Sequence, residues 1–224
     1  MKNNVNLSNR LLSAAAYVRR GSAVADIGTD HAFLPIYLIE KGISPRAVAA
    51  DINEGPLARA RINIPKSMVK KIELRLTDGL RGIEDANVDD VLICGMGGEL
   101  IARIIKDAPF VKNEKIRLVL QPMTKAPALR EFLLSEGFSI IGETLSFDDR
   151  IYQTLCAEYT GEREEYSPLE LLLGRHNIER GGELFLSFVM QNIKMFEGIV
   201  AGKSAGDADV SYEEEILKGL RDFL

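Results

Sequence analysis

Short apolar runs alternating with stretches of helical spacing set the pattern of the first two thirds of the chain. Ala23 to Ile27, Ala47 to Ile52, Ile72 to Leu76, Val91 to Cys94 and Ile116 to Leu120 are strand-sized and rich in β-branched or small apolar residues, as expected of strands buried within a sheet. A helix is predicted to open at Asn6 or Ser8, whose side chains suit an N-cap, because Leu7, Leu11, Leu12, Ala15 and Val18 then share one face. Further helices are predicted from about Ala32 to Lys41, with Pro35 in the first turn and Gly42 as the stop, and from Gly55-Pro56 onward. Two more are predicted near Glu99 to Lys106 and Ala126 to Ser135. Such β-α alternation implies a mostly parallel sheet covered on both faces. Phe138 to Phe147 and Tyr152 to Tyr159 are separated by too little chain for a crossover helix, so they are predicted to form an antiparallel hairpin at a sheet edge.

From about Glu162 the period changes. Leu186, Val189, Ile193, Phe196 and Val200 recur at spacings of three and four, and Ile216, Leu220 and Phe223 repeat the pattern after a Gly/Ser/Asp-rich loop around Gly202 to Asp209. An antiparallel helical pair is expected there, giving an α/β domain over residues 1–161 and a small, coiled-coil-like helical domain over 162–224.

Composition leaves that picture standing and narrows the class. The 224 residues are 46% hydrophobic and 27% charged with 8 prolines, which suits an ordinary globular protein able to bury roughly 70% of its unfolded surface. The longest apolar runs are strand-sized, short of the roughly 20 residues a bilayer span requires, and Leu11 to Val18 is closed by Arg19 and Arg20 rather than by a cleavage site. A cytoplasmic protein without membrane contact is expected. Cys94 and Cys156 form no C-x-x-C, and His31 and His176 are the only histidines, so neither a disulfide framework nor a metal site is expected.

Charge divides with the pattern. Residues 1–157 hold 21 Lys+Arg against 19 Asp+Glu, whereas residues 158–224 hold 7 against 14, which gives the net charge of -5. Basic clusters stand out in the first part: Lys2, Arg10, Arg19 and Arg20 occur without an acid in the first 20 residues, and Arg59, Arg61, Lys66, Lys70, Lys71 and Arg75 surround a single Glu73. They suit either a solvated helix face or a surface facing phosphates.

The chemistry concentrates at the ends of the predicted strands. Val24-Ala25-Asp26-Ile27-Gly28-Thr29-Asp30-His31-Ala32 is a strand entering a Gly turn and a helix, the place where doubly wound sheets hold nucleotides. Asp30 stands where a dinucleotide fingerprint has its second glycine. A carboxylate there repels a pyrophosphate but suits S-adenosylmethionine, which carries an ammonium and a sulfonium and no phosphate. Asp51, followed by Ile52 and Asn53, closes the second strand and suits the ribose hydroxyls, a role shared with NAD enzymes. Asp78 and Gly79 follow the third strand, where an acid can receive an adenine amino group. Gly95-Met96-Gly97-Gly98 after the fourth strand reads as a loop that clears space for a substrate ring, and Gln121-Pro122 after the fifth offers an amide to a base edge. No Asp/Asn-Pro-Pro-aromatic tetrad is present to cradle an exocyclic amine, which favours a ring nitrogen as the methyl acceptor.

Asn9-Arg10-Leu11, the run from Ala25 to Pro35, Asp78-Gly79-Leu80, Gly95-Met96-Gly97-Gly98 and Leu120-Gln121-Pro122 together resemble the bacterial tRNA (adenine-22 N1)-methyltransferase family over most of the chain. The resemblance implies a Rossmann-like class I methyltransferase sheet of strand order 3-2-1-4-5-7-6, a helical C-terminal domain, S-adenosylmethionine as methyl donor and tRNA as partner. It implies donor contacts at Asp26, Gly28, Asp51 and Asp78, and the residue pattern itself adds Arg10, His31, Ile52, Asn53, Gly79, Gly95 and Met96 as candidates for the same pocket, with a surface arginine and a helix-capping histidine as the other readings of Arg10 and His31. Asp30 and Gln121 are then the catalytic candidates, with no metal required, in a monomer or weak homodimer. Two other classes share part of the pattern: an NAD(P)-dependent oxidoreductase, which the acid after the second strand also suits, and a non-catalytic RNA-binding module.

Overall fold

The structure, a computed structural model, describes residues 5–206 and 208–224. The chain divides between Glu164 and Glu165 into two compact units.

The first unit is built on seven strands: β1 (Val24–Ile27), β2 (Ala47–Asp51), β3 (Ile72–Leu76), β4 (Asp90–Gly97), β5 (Arg117–Thr124), β6 (Phe138–Phe147) and β7 (Ile151–Tyr159). They lie in the order β3-β2-β1-β4-β5-β7-β6, as the resemblance implied. The first five pair in parallel. β7 pairs antiparallel with β5 and β6, which makes the expected hairpin and leaves β6 at the edge. One face is covered by α1 (Asn9–Tyr17), α2 (Phe33–Glu40) and α3 (Glu54–Asn63), whose Ala14, Leu38 and Ala60 join Val24, Ala49, Leu92 and Val119 in a single core. The alternate strand residues, Ala25, Val48, Ile93 and Leu118 among them, point the other way and are buried, with α4 (Gly98–Lys106) and α5 (Ala126–Ser135) packed on β4, β5 and β6.

Two local features differ from expectation. Ser8 is the N-cap of α1, but its side chain makes no capping bond. The Asp148 carboxylate does so instead, from the β6–β7 turn, accepting the backbone N–H of Asn9 at 2.9 Å and of Arg10 at 3.0 Å. β4 does not stop at Cys94 but runs through Met96 to Gly97, with register shifts on either side of Met96. Thus Gly95-Met96-Gly97 is irregular strand rather than loop. At Gly98 the chain turns into α4 against the β5–α5 connection, so closely that a Cβ there would strike the Lys125 carbonyl.

Deep in the unit, Arg130 of α5 and Glu143 of β6 form an ion pair of 2.7 Å with both side chains fully buried. Gln153 of β7 accepts a further bond from Arg130 at 2.7 Å.

The second unit holds α6 (Pro168–Leu173), α7 (Arg175–Arg180), α8 (Glu183–Ser204) and α9 (Ser211–Arg221). α8 and α9 are the predicted antiparallel pair, joined by Glu197–Arg221 at 2.9 Å and Glu213–Lys203 at 2.7 Å. The seam follows the prediction in part: Val189 is buried and Ile193, Phe196 and Val200 are half-buried, but Leu186 is exposed. Phe185, which meets Phe223 edge-on at 5.5 Å, is buried together with Phe188 and Asn192. At 22 residues α8 is long and apolar enough to cross a membrane by length and composition alone, contrary to the expectation drawn from uninterrupted apolar runs. Gln191, Asn192, Lys194 and Glu197 interrupt its sequence.

Candidate functional site

Because β1 to β5 run in parallel, their carboxyl ends share one edge of the sheet, the edge at which open α/β sheets hold ligands. Asp26 on β1, Asp51 at the end of β2, Asp78 just past β3, Met96 on β4 and Gln121 on β5 are gathered there. The turn after β1 is fixed by two backbone bonds, from Gly28 N at 2.8 Å and Thr29 N at 2.9 Å, both to the Ala50 carbonyl of β2. Gly28 has φ +78, and a Cβ on it would strike the Met96 methyl. This position therefore accepts only glycine without strain. A cavity of about 270 Å³ opens beside the turn, lined by Arg10, Asp26, Gly28, Asp30, Phe33 and Cys94 among others. A second, of about 330 Å³, opens past β3 between Asp78, Gly79, Leu80, Arg103 and Ile104.

The acids differ in surroundings. Asp26 is buried, and burial pushes its carboxyl up to about 6, with the Asp51 charge adding to the rise. The Thr29 hydroxyl pulls the other way, although it makes no hydrogen bond of regular geometry and is itself buried. Asp51 is half-buried and spends Oδ1 on the backbone N–H of Asn53 at 2.7 Å, while Ile52 and Asn53 are exposed. Asp78 is exposed, with the Arg81 guanidinium 3.9 Å away.

Asp30 stands at the rim of the first cavity, its side chain 61% exposed. Arg59 reaches from α3 to place Nε at 3.1 Å, and Nη2 closer still, on Asp30 Oδ1. His31 Nε2 lies 3.2 Å from Oδ2. The His31 ring stacks on Phe33, with centroids 4.9 Å apart, and its Nδ1 is 3.3 Å from the Asn63 amide nitrogen. Among the described residues, no group of His, Cys, Asp and Glu could hold a metal ion.

Gln121 is fully buried. Its Oε1 accepts from Arg10 Nη1 at 2.9 Å and its Nε2 donates to the Pro122 carbonyl at 3.0 Å. The amide read as a partner for a base edge is thus occupied in holding Arg10, whose guanidinium also lies 5.9 Å from the centre of the Tyr152 ring. Of the basic clusters, Arg19 is paired with Asp90 at 2.5 Å and Arg75 with Glu73 and Asp85 at 2.6 and 2.5 Å. Arg61, Lys66, Lys70 and Lys71 are exposed.

The sequence reading passed over Thr29, Asn63 and Asp148, and took Arg59 only as one cation of a cluster. A signal was present for two of these: Arg59 and Asn63 are four apart on the helix that follows Asp51, hence on one face.

Comparison with known proteins adds what geometry alone does not supply. A family model described as a methyltransferase domain matches residues 7–155. The tRNA (adenine(22)-N(1))-methyltransferase of Bacillus subtilis is 34% identical over 226 residues, covering 98% of this chain and 94% of that protein. The chain belongs to the tRNA (adenine(22)-N(1))-methyltransferase family. Two solved structures resemble this family member throughout. A Streptococcus pneumoniae protein in complex with S-adenosyl-L-methionine has a TM-score of 0.85 at 28% identity, covering 98% of this chain and all of the other. The M. capricolum TrmK protein, solved with the cofactor product S-adenosyl-homocysteine, has a TM-score of 0.79 at 27% identity over 97% of each chain.

Proposed function

We propose that this methyltransferase transfers a methyl group from S-adenosylmethionine to N1 of adenine 22 in tRNA. The observation that carries the proposal is the near-full-length match to the Bacillus subtilis enzyme, falling on a chain whose three acids stand at successive parallel strand ends. The residues fit the donor: a buried carboxylate at Asp26 suits an ammonium, Asp51 has an oxygen beyond the one given to Asn53 for ribose hydroxyls, and Asp78 borders a cavity where an adenine amino group finds an acceptor. Thr29 brings a buried hydroxyl without a partner, a group that a ligand satisfies. When bound, S-adenosylmethionine supplies an electrophilic methyl group.

Adenine N1 carries a free in-plane lone pair once its base is unpaired and turned out, so no proton has to be removed from it beforehand, and the work left to the protein is positioning. Asp30, at the cavity rim, accepts a hydrogen bond from the exocyclic amine, which raises electron density at N1 and stabilises the cation that forms. Arg10, held by Gln121 and beside Tyr152, presents a fixed cation to the donor carboxylate or to a phosphate of the RNA. Gln121 thereby acts through Arg10.

The test is to incubate the purified protein with labelled S-adenosylmethionine and unmodified tRNA, digest the RNA and identify the nucleoside by mass spectrometry. 1-Methyladenosine is expected with wild-type tRNA and none with a transcript carrying guanine at position 22. Asp30→Ala is expected to cut turnover much more than donor affinity; equal loss of both would make Asp30 a donor ligand.

A further inference from the structure

The Asp30 carboxylate is held from outside its own loop. α3 carries Arg59 and Asn63 one turn apart, and both reach the segment after β1: Arg59 through two nitrogens to Asp30 Oδ1, Asn63 to the His31 ring at 3.3 Å and to the His31 carbonyl at 3.2 Å. The bonds run in one consistent sense. Asn63 Nδ2 is a donor only, so Nδ1 of His31 accepts; the imidazole proton then lies on Nε2, 3.2 Å from Asp30 Oδ2. A carboxylate offers about four acceptor directions. Two on Oδ1 are taken by Arg59 and one on Oδ2 by His31, which leaves one direction on Oδ2.

We propose that Arg59 and Asn63 are positioning residues for methyl transfer: from α3 they lock the Asp30 carboxylate so that a single acceptor direction on Oδ2 is presented to the exocyclic amine of the target adenine. The proposal rests on the reading of Asp30 as the group that meets the adenine. It separates Arg59 from the basic cluster in which its sequence places it. Arg59 is itself about half-exposed, but its guanidinium is paired with Asp30, which assigns its charge to Asp30 rather than to the RNA backbone. A freely rotating carboxylate presents the right lone pair only part of the time, and misplacement of that order costs roughly ten- to a hundredfold in rate.

The experiment is a double-mutant cycle on the full chain with Arg59→Gln, Arg59→Lys, Asp30→Asn and the pair Arg59→Gln/Asp30→Asn, reading kcat, KM for tRNA and the Kd of S-adenosylmethionine. Arg59→Gln is expected to lower kcat about tenfold or more with KM for tRNA and donor Kd within about twofold. Arg59→Lys is expected to recover part of the loss. In the Asp30→Asn background the same change is expected to cost less than about twofold, because the two residues act as one unit. Multiplicative losses in the cycle, or a loss confined to KM for tRNA, would overturn the proposal and make Arg59 a direct RNA contact. Full activity in Asp30→Asn would instead overturn the assignment of Asp30, and the proposal with it. A measurement independent of turnover is NMR of the backbone amides of residues 28–33. Arg59→Gln and Asn63→Ala are each expected to shift and broaden them while amides of β1 stay unchanged, and an undisturbed loop would refute the lock whatever the substrate.

Discussion

Replacing Asp26 by asparagine should make the free protein more stable and at the same time abolish its use of the methyl donor. Asp26 is buried, and its carboxyl is raised from 3.8 to about 6, so holding it ionised in the folded chain costs free energy. At 1.36 kcal/mol per pH unit the rise corresponds to about 3 kcal/mol. The sign follows from proton linkage. The folded state holds the proton more tightly than the unfolded one, so the penalty is absent below about pH 3.8 and grows as pH rises to about 6. Above that it is constant. Asparagine has nearly the same shape and no charge, and at pH 7 it should recover about 1–3 kcal/mol, the lower figure allowing for an amide that finds fewer partners than it needs. For a chain of this size that is roughly 3–10 °C in the melting midpoint. The assay is urea or thermal unfolding of both proteins without ligand at pH 7 and pH 5, with calorimetric titration of S-adenosylmethionine alongside. The gain should fall by about half at pH 5, and donor binding by the wild type should weaken as pH drops through about 6, where Asp26 loses the charge offered to the ammonium. An asparagine variant no more stable than wild type at pH 7, or equally stabilised at both pH values, would show that burial of this charge is not what the fold tolerates for the sake of the site.

Other consequences are simpler to test. Gly98→Ala drives a Cβ into the Lys125 backbone carbonyl, which cannot rotate away as a side chain would, and should cost about 1–3 kcal/mol in urea unfolding. Glu143→Gln removes the negative charge 2.7 Å from the fully buried Arg130 guanidinium and should cost about 3–5 kcal/mol; a loss below about 1 kcal/mol would contradict the account of that pair. Asp148→Ala removes both capping bonds from α1 and should cost about 1 kcal/mol. Faster hydrogen exchange should then appear at residues 9–12, with the sheet amides unchanged.

Much of the α/β unit was legible because most strands are short apolar runs and α2 to α5 have Pro or Gly at or near their ends, which are local signals. Ile72–Leu76 and Ala126–Ser135 fall where the pattern put them. What escaped depends on contacts distant in sequence. The cap of α1 comes from a residue about 140 positions away, so the nearby Ser8 gave the right place and the wrong acceptor. β4 outran its prediction because Gly95 and Gly97 read as loop, yet the register shifts around Met96 keep it paired with β5. α6 was missed although its start is written locally: Ser167 and Glu170 form a reciprocal capping box around Pro168. At the site, the strand-end acids could be named from order and spacing alone. The Arg59 partner of Asp30 could not: the spacing of Arg59 and Asn63 puts them on one face of α3, but nothing near Asp30 in sequence indicates that this face meets it.

The Asp148 cap also has a meaning in time. α1 leaves the ribosome well before its partners: the carboxylate that closes its first turn, and the Gln121 amide that steadies Arg10, are made more than a hundred residues later. At roughly 5–20 residues per second that delay is on the order of ten seconds. During it the nascent chain has Asp26, Asp51 and Asp78 already synthesised but Arg10 not yet fixed. Two of the contacts that place Arg10, Asp148 on its backbone amide and Tyr152 beside its guanidinium, are therefore made only when the last hairpin of the sheet closes, so a chain truncated before Asp148 should carry the acids of the site with an Arg10 steadied by Gln121 alone.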